Sequence, residues 1–428
     1  MARVLLTLDE PPGGTGGRIA GLQVRVREMA GALERAGHDV VVARVADAAR
    51  TNPVDVWITH PRLVAALDGV VAARARVVDG YESPFGSFLA HAADLLPRIG
   101  ERAARDYRAT MVAMLAAVAS ADRVLCANEA QRVSYLTILS MLGRIGPHAP
   151  QTDLVLCVSS GASPAPPARP RDATSHEPVV LWCGGCYPWF DVETYLAALP
   201  AIAAASPEVR FRFAGIDGVA LDRELPLATR IREVVAATPV LAARAEFVPW
   251  LEYDERGALY AGADVGVCTY GDHLETRLSM RTRVIDMIWG GLPLVVSAGD
   301  EMSRVVDAHG LGQSVPAGDP AALAAAVIAL VADAPARRAA TARAHALATG
   351  ELSWDHQVAP LARWCSDVAT GAVTPRPVAP LAHAIVQLND GAGTELADAL
   401  RRIAWRASNA WRLARRGGVG PVLRRVWS

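Results

Sequence analysis

The chain has 428 residues, 52% of them hydrophobic, and single cores stop growing well before this length, so at least two cores are expected. A formal net charge of −1 excludes the basic surface of a general nucleic-acid binder, so any charged partner must be met locally. No lysine occurs, and arginine therefore supplies every fixed positive side chain.

The N-terminal apolar run stops at Asp9, too short for a signal peptide. The stretches Met111–Ala121 and Ala321–Ala332 end at Asp122 and Asp333, short of the ~20 residues that span a bilayer. A cytoplasmic chain without a spanning helix is expected. Six scattered cysteines make no disulfide framework; Cys126, Cys157 and Cys268 lie in apolar runs that read as buried strands. Cys183 and Cys186 have half-zinc-site spacing, but no second pair follows, so no metal is expected.

In chain order, the run Arg3–Leu8 reads as a strand and PPGGTGG as a loop. Leu22, Val26, Met29, Ala30 and Leu33 then recur at helical spacing, which is the opening of a doubly wound α/β unit. Gly14, Gly16 and Gly17 of that loop are candidates for ligand contact on the acceptor side. Further strands follow in GHDVVVARV, VDVWITH, ARVVDGY and DRVLCAN, separated by helical segments, and that alternation implies a parallel sheet. His60, Asp79 and Glu82 stand just past strand ends, where such sheets bind ligands.

From Gly161 to Pro178 the sequence turns to Pro and Ala without periodicity. It reads as a linker, placed at 166–178 between a first domain of 1–165 and a second of 179–351. The pattern then restarts. PVVLWC is a strand, GGCYPWFD a glycine loop, and Asp191 opens a helix. Strands VRFRFAG, AEFVPW, ADVGVCTY and LPLVVSAG come after, with Trp250 closing the second of these. Two such halves leave a cleft between the carboxyl ends of their sheets. Helix N-termini there suit a diphosphate, but a dipole gives only ~0.3–2 kcal/mol, so arginines should assist.

The segment Asp272–Asp300, DHLETRLSMRTRVIDMIWGGLPLVVSAGD, crowds acids and arginines before a helix and a buried strand. The helix is expected to begin near Ser279, capped by its hydroxyl, with Thr282 and Asp286 on one face. This segment resembles the donor-binding signature of family-4 retaining glycosyltransferases of the GT-B fold. Gly291-Leu292-Pro293-Leu294-Val295 matches its end, and Asp286 falls on its second acid, which the resemblance assigns to the donor ribose hydroxyls. Leu278 occupies the counted position of the first acid, and Glu275 is the nearest carboxylate. HLETRLSMRTRVIDMIWGGLP resembles a variant found in bacterial surface-polysaccharide and natural-product enzymes. Its companion Gly-Gly loop is present as Gly184, Gly185, Trp189 and Asp191, and ADRVLCANEAQR resembles the close of the acceptor domain.

The resemblance spans Arg3–Trp364 and implies two Rossmann-like domains facing a cleft. It implies sugar transfer from a nucleotide diphosphate donor to a hydroxyl with retention, needing no cofactor. Catalysis is assigned to Glu275, Arg281 and Arg283, and donor binding also to Trp250 and Arg277. No Asp-x-Asp triplet is seen, so metal independence is the preferred reading. The rivals are a natural-product enzyme with a soluble acceptor, a nucleotide-sugar 2-epimerase, and a catalytically silent GT-B binding protein. A helix at 352–370 is expected to cross back to the first domain. The tail 381–428 reads as a basic amphipathic helix on the inner face of the cell membrane, which would favour a lipid-linked acceptor.

Overall fold

The computed structural model describes residues 1–9, 21–51, 53–147, 152–167, 177–217 and 226–374. Gly14, Gly16 and Gly17 and the tail 381–428 lie outside the described residues. The first sheet contains β1 (Arg3–Leu8), β2 (Asp39–Arg44), β3 (Val54–Thr59), β4 (Ala73–Asp79), β5 (Arg123–Cys126) and β6 (Val155–Cys157). These are ordered β2-β1-β3-β4-β5-β6. The second contains β7 (Val179–Cys183), β8 (Arg210–Ala214), β9 (Ala245–Val248), β10 (Val265–Cys268), β11 (Leu294–Ser297) and β12 (Gly312–Val315), ordered β12-β11-β10-β7-β8-β9. Every strand pairing is parallel.

Central strands such as β7 and β11 are buried throughout because helices cover both faces, so they read as unbroken apolar runs. β12, GQSV, has one buried residue and carries no apolar signal; its place is set by pairing with β11. Cys157 departs from expectation. It is exposed, because β6 is an edge strand with one flank unpaired. In each sheet the order reverses beside the first strand, at β1/β3 and at β7/β10, and ligands of α/β folds bind at such switch points.

Helix Trp354–Thr370 returns to the first domain. Trp354, Val358, Leu361 and Cys365 share a core with Val4, Leu6, Val56 and Leu125. The crossing is tied where Ala162 N donates to Leu352 O at 2.6 Å and Trp354 N donates to Ala162 O at 3.2 Å. A Cβ at Gly161 would stand 2.6 Å from Trp354 N, so only glycine fits there. Among the described residues no single helix is long and apolar enough to cross a membrane.

Candidate functional site

A cavity of about 430 Å³ lies between the two domains. It is walled by loops after β4, β7, β8, β9 and β10 and by the segment Ser279–Asp286.

On the second-domain side, the chain leaves β7 through Gly184, whose φ of 94 favours glycine. A Cβ there would also meet Arg283 Nη2 at 2.6 Å, so glycine lets the guanidinium lie on the loop. Arg283 packs 3.8 Å from the Phe190 ring, and its Nη2 donates to Gly185 O at 2.8 Å. Its Nη1 is buried with no protein partner. A half-buried cation with a buried, unused donor and no carboxylate bonded to it calls for an anion. Trp189 stacks on Tyr187 at 4.9 Å, and Trp250 covers Gly215; both tryptophans line the cavity.

The expected helix begins at Thr282 and not at Ser279, and the loop before it contains a short helix of its own. Glu275 sits on a short helix, Leu274–Leu278, and a second helix runs Thr282–Trp289 with Arg281 at its N-cap. Ser279 caps neither start; it ends the first helix, and its hydroxyl donates to Glu275 Oε1. The break follows from a buried ion pair that folds the intervening turn back. Arg281 donates to both Glu275 oxygens at 2.9 and 2.8 Å and to Asp300 at 3.3 Å, and stacks 3.8 Å from Tyr270. Its charge is thereby met within the protein. Asp286 lines the cavity and accepts from Arg256 Nε at 3.3 Å; burial raises its pKa, partly offset by that arginine. Arg256 is held by Ser163 and stacks 3.5 Å from Tyr253.

Two residues assigned on the second-domain side stand apart from the cavity. Asp191 caps helix Val192–Ala205, accepting from Thr194 N at 3.0 Å and Thr194 Oγ1 at 2.6 Å. Arg277 is exposed and paired with Asp272 at 2.9 Å. The pair Cys183 and Cys186 is free and buried, and burial pushes both thiols up to about 12.

On the first-domain side the centre is Arg25, which donates to Asp79 at 2.7 and 2.9 Å and to Val158 O at 2.8 Å, above the Tyr81 ring. Asp79 is therefore engaged behind the wall, while Arg25 and Glu82 line it. Glu82 accepts from Tyr81 Oη at 3.1 Å, and burial raises its pKa. His60 lies behind, with Nε2 3.9 Å from Glu82 and Nδ1 accepting from Arg62 N at 3.3 Å. Burial, then Arg62, lowers its pKa to about 3, so it is neutral. Arg25 and Arg256 escaped the sequence reading. For Arg25 a signal exists, since it falls three residues after Leu22 on an otherwise apolar helical stripe.

Two parallel-sheet domains with a ligand cleft between them and a C-terminal helix crossing back are the GT-B glycosyltransferase architecture. The structure superposes on sucrose-phosphate synthase from Thermosynechococcus elongatus with a TM-score of 0.61 at 16% identity, covering 87% of this chain and 100% of that one. It superposes on Anabaena HepE, solved with UDP and glucose, with a TM-score of 0.59 at 14% identity, covering 86% and 100%. For WaaG, a glycosyltransferase involved in lipopolysaccharide biosynthesis, the TM-score is 0.58 at 13% identity, covering 86% and 100%. No curated protein is detectably similar in sequence. Residues 177–333 match the family described as "Glycosyl transferases group 1". The matched segment forms the second domain, and the fold of the whole chain is that of GT-B glycosyltransferases.

Proposed function

We propose that this enzyme moves a hexosyl group from a nucleoside diphosphate sugar to an acceptor hydroxyl, with retention, in surface-polysaccharide or glycoconjugate assembly. The observation that carries the reading is Arg283 Nη1, buried and unpartnered at the mouth of the Gly184-Gly185 loop, where a diphosphate would complete it. Glu275 and Asp286 hold carboxylate oxygens at the same cavity and would accept from donor hydroxyls. The donor C1–O bond breaks as the acceptor oxygen bonds to C1 on the same face. The acceptor proton passes to the departing diphosphate oxygen, and Arg283 stabilises the charge that develops there. HepE was solved with UDP-glucose, which suggests a UDP-hexose as the first donor to try.

Titration with UDP and UDP-glucose, followed by NMR of the product anomer, tests the reading. No stabilisation by any nucleotide sugar would overturn it, and an inverted product would remove retention. The basic tail supports placing the acceptor at an anionic membrane. On that proposal the full chain floats with anionic liposomes at low salt and a chain ending at Pro380 does not.

A further inference from the structure

Two first-domain side chains reach across the cleft to the helix that carries Glu275. Asn128 caps helix Glu129–Met141: its Oδ1 accepts from Gln131 N at 2.9 Å. Its Nδ2 donates to Leu278 O at 3.1 Å and Ser279 O at 3.3 Å. Gln131 Oε1 accepts from Ala127 N at 2.8 Å, and its Nε2 donates to Leu278 O and Tyr81 O, each at 2.9 Å. Both side chains are buried, at 4% and 1% exposure. Leu278 and Ser279 close the Glu275 helix, whose last carbonyls have no partner of their own. On its other flank Gly86 comes so close that a Cβ there would lie 3.3 Å from Glu275 Cα.

The residue types are specific to this bridge. Capping a helix needs only a side-chain acceptor, which Asp or Ser supplies equally well, whereas Asn adds a separate amide with two donors for the opposite domain. The helix itself asks nothing of position 131. Gln there satisfies three backbone groups from three segments: the end of β5, the Tyr81 loop, and the Glu275 helix.

We propose that Asn128 and Gln131 are positioning residues, an interdomain latch that sets Glu275 against the donor when the domains close. Through Gln131 the latch also fixes the acceptor wall at Tyr81 and Glu82 in the same register. The sugar-transfer part of this inference rests on the glycosyltransferase reading above. It makes turnover sensitive to the latch while leaving nucleotide affinity, set within the second domain, unchanged.

The test uses Asn128→Asp, which keeps the cap acceptor and loses both donors, and Gln131→Met, a near-isostere without hydrogen bonds. In each, turnover at saturating donor falls about tenfold, while UDP affinity stays within about twofold of wild type. Both variants keep the wild-type secondary structure by circular dichroism, so the loss of turnover is not a loss of folding. Small-angle scattering with UDP bound gives a larger radius of gyration for both variants than for wild type, and this arm needs no turnover. Wild-type turnover in both variants, or identical scattering curves, overturns the latch. An absence of turnover in the wild-type chain with an intact scattering difference would instead count against the glycosyltransferase reading alone.

Discussion

Each wall of the cleft presents an arginine, buried on the first domain and half-buried on the second, and the two are wired differently. Arg25 on the first domain shares its charge with Asp79 through two short bonds. Arg283 on the second has aromatic rings and one carbonyl for company and no carboxylate bonded to it; Nη1 lacks a partner in both arginines, so the counter-ion is what differs. A compensated pair presents a nearly neutral face, whereas an uncompensated guanidinium in a low-dielectric wall awaits negative charge. On the proposed function, this asymmetry would orient the diphosphate toward the second domain and an uncharged hydroxyl-bearing group toward the first.

The largest expected effect breaks the compensated side. Asp79→Ala strands the Arg25 charge and should cost about 3–5 kcal/mol of stability, read from urea unfolding. Exchanging both members for apolar residues should recover most of that loss. If Asp79→Ala unfolds like wild type, the first wall is not neutral in the way the geometry implies. Next, Arg283→Ala should lower turnover by about 10²–10³-fold, the cost of one donor aimed at developing charge. Stability should be unchanged or somewhat higher, since the cost of holding an unpaired charge in the wall is removed while its ring packing is lost. Normal turnover in this variant would remove the diphosphate assignment and with it the contrast between the walls.

The fold was legible because parallel strands buried on both faces are written as apolar runs, and the Gly-Gly loops mark where helices follow them. β12 was not legible, since its four residues owe their strand conformation to β11 and not to their own pattern. Within the site, the sequence brought Glu275, Arg281, Arg283 and Asp286 into one segment but assigned both arginines to catalysis alike. Arg281 and Arg283 are two positions apart and of one type. Yet the first is closed by Glu275 and Asp300, and the second is open. Asp300 comes from the turn after β11, and nothing local announces that it will fold back onto Arg281. Likewise, the second-domain partners of Asn128 and Gln131 lie about 150 residues away in sequence.

A smaller effect concerns Glu82. Burial raises its pKa above the ordinary carboxylate value, so the folded state binds a proton more readily than the unfolded chain. Stability contributed by that proton is full below the unfolded pKa and is lost as pH rises through the folded one. Glu82→Gln should therefore unfold at the wild-type temperature or slightly above it at neutral pH, with the gain vanishing as pH falls below the usual carboxylate range. A variant less stable at neutral pH would mean that the ionised form is held by partners stronger than Tyr81.

The smallest expected effect is at Arg277, which sharpens the comparison by subtraction. It belongs to the same arginine-rich segment as Arg281 and Arg283, but its side chain is 64% exposed against an Asp272 that is 70% exposed. Solvent screens such a pair, and exposed ion pairs contribute ~0–1 kcal/mol. Arg277→Ala should leave turnover and UDP affinity within about twofold of wild type and stability within about 0.5 kcal/mol, measured beside Arg283→Ala under one set of conditions. The position of charge, not its amount in the segment, would then account for catalysis. A loss at Arg277 approaching that at Arg283 would mean the donor reaches past the cavity along the exposed helix face, and the division into one open and one closed wall would have to be redrawn.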